Sequence, residues 1–109
     1  HMEVTLIDDY GHHPSEIAST LESVRAAWPN RRLIVLFQPH RYTRMKECME
    51  QFKETFNLAD HLLITDIYGA GEKPIQGVTS NALQRIINKE STYVSRKGLA
   101  KEVHSYLRP

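Results

Sequence analysis

The chain has 109 residues, of which 40% are hydrophobic and 25% are charged, and its formal net charge is +1. This length and composition predict one globular domain and exclude a disordered segment. The small net charge excludes the broad cationic surface of a general nucleic-acid-binding protein. No apolar run approaches the roughly 18 residues that a membrane helix needs. Cys48 is the single cysteine, which excludes an internal disulfide and a cysteine-based zinc site.

The first predicted unit is a strand, a loop and a helix. Residues 4–7 are β-branched or aliphatic and are followed by two carboxylates, Asp8 and Asp9. Pro14 suits the first position of a helix, and apolar residues then recur at spacings of four, three and four: Ile17, Leu21, Val24 and Trp28. We take residues 1–2 as a cloning remnant and expect residues 3–109 to form the domain.

Three further strand and helix pairs are predicted. Residues 33–37 form a continuous apolar run, typical of a strand buried on both faces, and residues 61–67 and 92–94 supply the other two strands. Ser80 is the predicted cap of one helix, and residues 97–107 form the last. The remaining helix carries an apolar stripe that we assign to the core: Met45, Cys48, Met49, Phe52 and Phe56.

This alternation predicts an α/β fold with a Rossmann-like, mostly parallel sheet of about four strands and helices on both faces. The chain ends on a helix, so the sheet is expected to lack its last strand. Since ligands bind at the carboxyl ends of parallel strands, the loops that follow the strands should gather the polar side chains at one edge. These are Asp8, Asp9, Tyr10, His12, His40, Arg41, Arg44, Asp66, Tyr68 and Glu72.

Arg41 and Arg44 crowd the predicted start of the second helix, with no acid in the sequence between them and Glu47. Cations at a helix N-terminus cost about 0.3–1 kcal/mol each. An anion held by the guanidinium groups would reverse that penalty, and a spacing of three lets both arginines face it. We therefore predict a carboxylate or phosphate site, with salt bridges to Asp8, Asp9 or Asp66 as the alternative.

The other polar residues allow more than one interpretation. An aspartate at the end of the first strand can bind a ribose hydroxyl or cap the loop amides before Gly11. His12 and His40 can position a ligand or bond to the backbone. A metal site built from Asp8, Asp9, His12 and His13 has no regular ligand spacing.

Other functional classes have weaker support in the sequence. A signalling receiver domain would use Asp8 and Asp9 for magnesium and Asp66 as phosphoacceptor, but it has no role for the arginines. Residues 69–74 begin like a dinucleotide fingerprint and then place Pro74 where the pattern needs Gly or Ala. The chain contains no phosphate loop of the G-x-x-x-x-G-K-[ST] type. A stand-alone module that binds an anion or a nucleotide without catalysis is a further alternative for the function of the domain.

Three segments, in order and at suitable spacing, resemble the C-terminal domain of the Mur ligases. They are residues 8–14 (DDYGHHP), 37–44 (FQPHRYTR) and 66–75 (DIYGAGEKPI). The resemblance implies a cytoplasmic bacterial enzyme of cell-wall synthesis that uses ATP and magnesium. Within the family, the Gln-Pro-His-Arg-Tyr-Thr-Arg run is most similar to the branch that joins L-alanine to UDP-N-acetylmuramate through an acyl phosphate.

The resemblance also implies residue roles. Asp9 would contact the ATP ribose, Tyr10 and His12 would line the region of alanine and the acyl phosphate, and Arg41 and Arg44 would bind the alanine carboxylate. His12 is thus the catalytic candidate, and no metal ligand is assigned. The central ATP-binding domain and the UDP-sugar domain of the family are not in this sequence, so we expect the chain alone to be inactive.

Overall fold

The computed structural model describes residues 5–9 and 11–107. Helices and strands alternate as α1 Pro14–Ala27, β1 Ile34–Phe37, α2 Tyr42–Cys48, β2 His61–Ile64, α3 Ser80–Ile86, β3 Ser91–Tyr93 and α4 Leu99–Tyr106. A 3-10 turn, Met49–Phe52, continues α2, and a second, Arg96–Gly98, precedes α4. The observed α2 is therefore shorter than the predicted helix, whose apolar stripe runs on through the 3-10 turn to Phe56.

The three strands form one parallel sheet in the order β1-β2-β3. Ile34 to Phe37 pair with His61 to Ile64, and Leu62 to Ile64 pair with Ser91 to Tyr93. Parallel neighbours need crossover connections, which α2 and α3 provide. The predicted α/β class with a parallel sheet is confirmed.

Helices lie on both faces of the sheet, as predicted. Leu62 and Ile64 of β2 belong to one apolar cluster with buried residues of α1, α2, the 3-10 turn and α3: Ile17, Leu21, Met45, Cys48, Phe52 and Leu83. Leu63 points to the opposite face, because side chains alternate along a strand. On that face the Tyr106 ring of α4 lies 5.1 Å from the His61 ring. The predicted core role of the Met, Cys and Phe stripe is confirmed.

The predicted first strand is wrong for the residues that the structure describes. Residues 5–9 have no regular secondary structure, and the described sheet has three strands instead of about four. Leu6 is 91% exposed. The apolar run therefore lacks the half-buried face that a strand of this composition needs. Val4, the first residue of that prediction, lies outside the described residues.

Burial on both faces is found in β2 and not in β1. Leu62, Leu63 and Ile64 are all buried, whereas Leu36 of β1 is 44% exposed. The prediction for residues 33–37 is wrong on this point because β1 is an edge strand of the described sheet. A continuous apolar run does not distinguish a central strand from an edge strand.

The starts of α1 and α3 show how local sequence sets the helix boundaries. Pro14 occupies the first helical position, as predicted, and His13 caps α1 by accepting a hydrogen bond from the Ser15 amide at Nδ1, 3.2 Å. The predicted cap of α3 is off by one residue. Thr79 Oγ1 accepts from the Ala82 amide at 3.0 Å. Ser80 instead donates its hydroxyl to the Thr65 carbonyl, which binds α3 to the end of β2.

Candidate functional site

The loops that follow β1 and β2 meet at the carboxyl edge of the sheet, as predicted. His40 and Tyr68 form a parallel β-bridge. The Arg41 amide donates to the Tyr68 carbonyl at 2.7 Å, and the Tyr68 amide donates to the Pro39 carbonyl at 2.8 Å. We call this edge, formed by residues 38–44 and 66–72, the carboxyl rim. Its backbone is held by the same kind of hydrogen bond as the sheet.

Histidine and tyrosine rings cluster on the carboxyl rim. The His12 ring, from the loop before α1, lies 4.4 Å from the His40 ring, and His40 lies 5.5 Å from the Tyr68 ring in an edge arrangement. Burial lowers the pKa of His40, and the positive charges of His12, Arg44 and Arg41 lower it further. His40 is therefore a neutral imidazole at neutral pH. The sequence prediction that His12 joins His40 is confirmed in position.

The start of α2 is capped by the carboxylate of Glu72, a contact that the sequence does not predict. Glu72 accepts hydrogen bonds from the Thr43 amide at 3.0 Å and from the Thr43 hydroxyl at 2.8 Å. These bonds lower the pKa of Glu72, and the charge of Arg41 adds to the effect. The helix start thus has an acid after all. It comes from 29 residues farther along the chain, where no local pattern reveals it.

Arg41 and Arg44 lie on this rim, and their predicted alternative role in salt bridges is not found. Within residues 5–9 and 11–107, neither guanidinium forms an ion pair with Asp8, Asp9 or Asp66. Arg41 itself precedes α2 with a φ of 67°. The side chain is exposed, so its charge is available to a molecule that approaches the rim.

Among the described residues, Asp9 bonds to a side chain and not to a loop amide, the capping role that was one of its two predicted roles. Its Oδ2 accepts a hydrogen bond from the Thr20 hydroxyl of α1 at 2.9 Å. Glu16 takes the capping role, because its Oε1 accepts from the amides of His12 and His13 at 3.3 and 3.0 Å. A Cβ on Gly11 would lie 2.9 Å from Asp9 Oδ2, so a larger residue here would require the Asp9 side chain to move.

Asp66 forms its hydrogen bonds with β3 and with the turn that follows β3. It accepts hydrogen bonds from the Tyr93 hydroxyl and from the Arg96 amide, the latter at 3.2 Å. The bond to Asp66 raises the pKa of Tyr93. Both carboxylate oxygens of Asp66 are engaged, which argues against the phosphoacceptor role that a receiver domain would require.

Tyr10, the predicted neighbour of alanine, lies outside the described residues, and Asp8 lies in the exposed segment before α1.

In the part of the chain that is described, no three histidine, cysteine or acidic side chains are grouped so that they could hold a metal ion. None of the helices described there is long and apolar enough to cross a membrane.

Comparison with known proteins defines the class of this domain. The family model of the "Mur ligase, glutamate ligase domain" matches residues 1–108. The chain therefore belongs to the Mur ligase C-terminal domain family, as its three motifs predicted.

Within that family, the chain is similar to proteins named UDP-N-acetylmuramate--L-alanine ligase. It is 53% identical over 85 residues to the one from Methylococcus capsulatus, covering 78% of this chain and 18% of the relative. It is 48% identical over 110 residues to the one from Anaeromyxobacter dehalogenans, covering 97% and 24%. The crystal structure of UDP-N-acetylmuramate-alanine ligase MurC from Thermotoga maritima matches with a TM-score of 0.58 at 29% identity, covering 89% of this chain and 19% of that chain. The chain thus spans less than a quarter of the length of these relatives.

Proposed function

We propose that this chain is the amino-acid-binding domain of a cytoplasmic bacterial ligase that joins L-alanine to UDP-N-acetylmuramate with ATP. The observation that carries the proposal is the pair Arg41 and Arg44 on the carboxyl rim, beside the neutral ring of His40 and without an ion pair to Asp8, Asp9 or Asp66 in the described chain. The names of the relatives support the choice of substrates.

The two arginines are assigned to the carboxylate of L-alanine. Guanidinium groups bind carboxylates through paired N–H donors, and such charge-assisted bonds are stronger than neutral ones. A neutral His40 adds no further positive charge to the rim at neutral pH. The site therefore suits a small zwitterion, which brings an ammonium group together with its carboxylate.

The reaction we assign to the parent protein proceeds in two steps. ATP transfers its γ-phosphoryl group to the carboxylate of UDP-N-acetylmuramate, so that an acyl phosphate forms and ADP leaves. The amine of L-alanine then attacks the acyl carbon, so that a C–N bond forms, the C–O bond to phosphate breaks, and phosphate leaves. His12 is assigned to the reacting groups together with Tyr10. The contact of His12 with His40 supports this role, because it brings the loop before α1 to the rim that carries the arginines.

Other parts of the parent protein must hold most of the nucleotide. Asp9 is assigned to the ATP ribose, since a carboxylate can accept hydrogen bonds from ribose hydroxyls. The described residues contain no group of three histidine, cysteine or acidic side chains that could hold a metal ion, so we assign magnesium to the parts of the parent protein that bind the ATP phosphates. The sequence also has no phosphate loop. We therefore expect the 109-residue chain to be inactive by itself.

Arg41→Ala in the full-length parent protein tests the proposed site. We expect the KM for L-alanine to rise roughly 10- to 100-fold, as for loss of a charge-assisted contact, with the KM for ATP nearly unchanged. Lys46→Ala is the matched control, since Lys46 is an exposed cation of the same helix. Equal changes in both KM values would contradict the assignment.

A further inference from the structure

Arg41 adopts a backbone conformation that its side chain disfavours. Its φ is 67° and its ψ is 132°, and among the described residues only Ala70 shares a positive φ without being glycine. A Cβ makes this region sparsely populated, and such residues cluster at functional sites where the surroundings hold them in place. Something in the structure must therefore hold Arg41.

The backbone of Tyr68 holds Arg41 from one side. The Arg41 amide donates to the Tyr68 carbonyl at 2.7 Å, next to the bridge between His40 and Tyr68. On the other side, the Arg41 carbonyl already belongs to α2, because it accepts from the Met45 amide at 3.1 Å. Arg41 is thus the residue at which the backbone changes from the β-like pairing of the rim to the helix α2.

Glu72 binds the start of α2, on the C-terminal side of Arg41. Its two carboxylate oxygens accept from the amide and from the hydroxyl of Thr43, two residues after Arg41. The Thr43 amide is the main cause of the lowered pKa of Glu72, and the positive charge of Arg41 contributes. Glu72 is therefore ionised at neutral pH, and both of its oxygens are engaged within the protein.

A tight turn directs Glu72 back to α2. The Glu72 amide donates to the Gly69 carbonyl at 3.0 Å, and the two residues between them have positive φ, 52° at Ala70 and 90° at Gly71. A Cβ on Gly69 would lie 3.1 Å from the Tyr42 ring, so the turn packs closely against the first residue of the helix. Residues 68–72 thus contact the chain on both sides of Arg41.

We propose that Glu72 is a positioning residue for Arg41. By fixing Thr43, its carboxylate keeps the start of α2 in place against the Tyr68 carbonyl and so directs the Arg41 guanidinium toward the amino-acid carboxylate. Glu72 does not contact the amino acid. The inference rests on the proposed function, because it names what orients the same site.

The test uses Glu72→Ala in the full-length parent protein. We expect the KM for L-alanine to rise roughly tenfold or more, as for a small misplacement of a binding group, while the KM for ATP changes less than about twofold. Glu72→Gln keeps one acceptor for the Thr43 amide and should restore part of the loss. Glu47→Ala is the matched control, because it removes an exposed acid of α2, the helix that Glu72 caps, and should change neither KM.

A double variant separates positioning from general damage. On an Arg41→Ala background, Glu72→Ala should raise the KM for L-alanine no further than about twofold, because the group that it orients is gone. A full rise on that background, or equal changes in the KM values for L-alanine and ATP, would overturn the positioning role. If Arg41→Ala alone leaves the KM for L-alanine unchanged, the proposed function fails as well. If Arg41→Ala raises it and Glu72→Ala does not, only the positioning role fails.

Discussion

Arg41 combines an unfavourable backbone with an exposed charge, and the two properties can be separated by substitution. Its φ of 67° puts the Cβ in a crowded conformation, which costs about 1–3 kcal/mol in comparable cases. If Arg41 serves the protein through its guanidinium, the protein carries this backbone cost in its free energy of unfolding. Stability and binding are therefore expected to respond in opposite directions at this position.

Arg41→Gly should be more stable than Arg41→Ala, although both lack the guanidinium. Glycine relieves the strain and loses about 0.5–1 kcal/mol to its greater freedom in the unfolded chain, so we expect a net advantage of about 1 kcal/mol. Urea unfolding of the two variants measures it. Ala70→Gly, at a φ of 52°, is the positive control and should gain a similar amount over the parent chain. Equal or lower stability of the glycine variant at residue 41 would show that the position is not strained.

At the scale of single elements, the two helices that flank the rim start in different ways. Glu16 lies inside α1 and accepts from the amides of His12 and His13, just before the helix. Glu72 caps α2 from a distant loop. The first cap could be found from sequence, since an acid in the first turn after Pro14 is a common helix start. The second could not, because only the folded sheet brings its partners together.

Glu16 should give α1 a pH-dependent contribution to stability. Its amide hydrogen bonds lower its pKa, the bond from His13 being the main cause. A carboxyl with a lowered pKa in the folded state stabilises the fold above its ordinary pKa, near 4.3, and loses that contribution as the pH falls through the folded value. The stability difference between the parent chain and Glu16→Ala should therefore shrink between pH 7 and pH 3, measured by thermal unfolding. Glu22→Ala, which removes another exposed acid of the same helix, is the matched control.

At the scale of the whole molecule, the sequence predicts the alternation of helices and strands but not the edge of the sheet. Apolar spacing located α1 and the core stripe, and the run at residues 33–37 located β1. The strand predicted for residues 4–7 is wrong where it is described, because composition alone cannot show that Leu6 stays exposed and does not pack against the described core. The order of the motifs placed His12, His40 and both arginines at one rim. The roles of Thr20 and Thr43 depend on contacts that span 11 and 29 residues, and hydroxyl side chains give no sequence signal for them.

The hydrogen bonds that join Pro39, Arg41 and Tyr68 continue the pairing of β1 and β2 beyond the strands. An amide in such a ladder exchanges with solvent deuterium only when the ladder opens, so its protection reports the free energy of that opening. The amides of Arg41 and Tyr68 should therefore exchange as slowly as strand amides such as Leu63, and far more slowly than the exposed loop amides of Gln76 and Gly77. Hydrogen exchange followed by NMR distinguishes the two groups. Fast exchange at Arg41 would mean that the rim opens by itself. Slow exchange would mean that the rim opens only together with the sheet, so that a ligand meets a surface already in its binding shape.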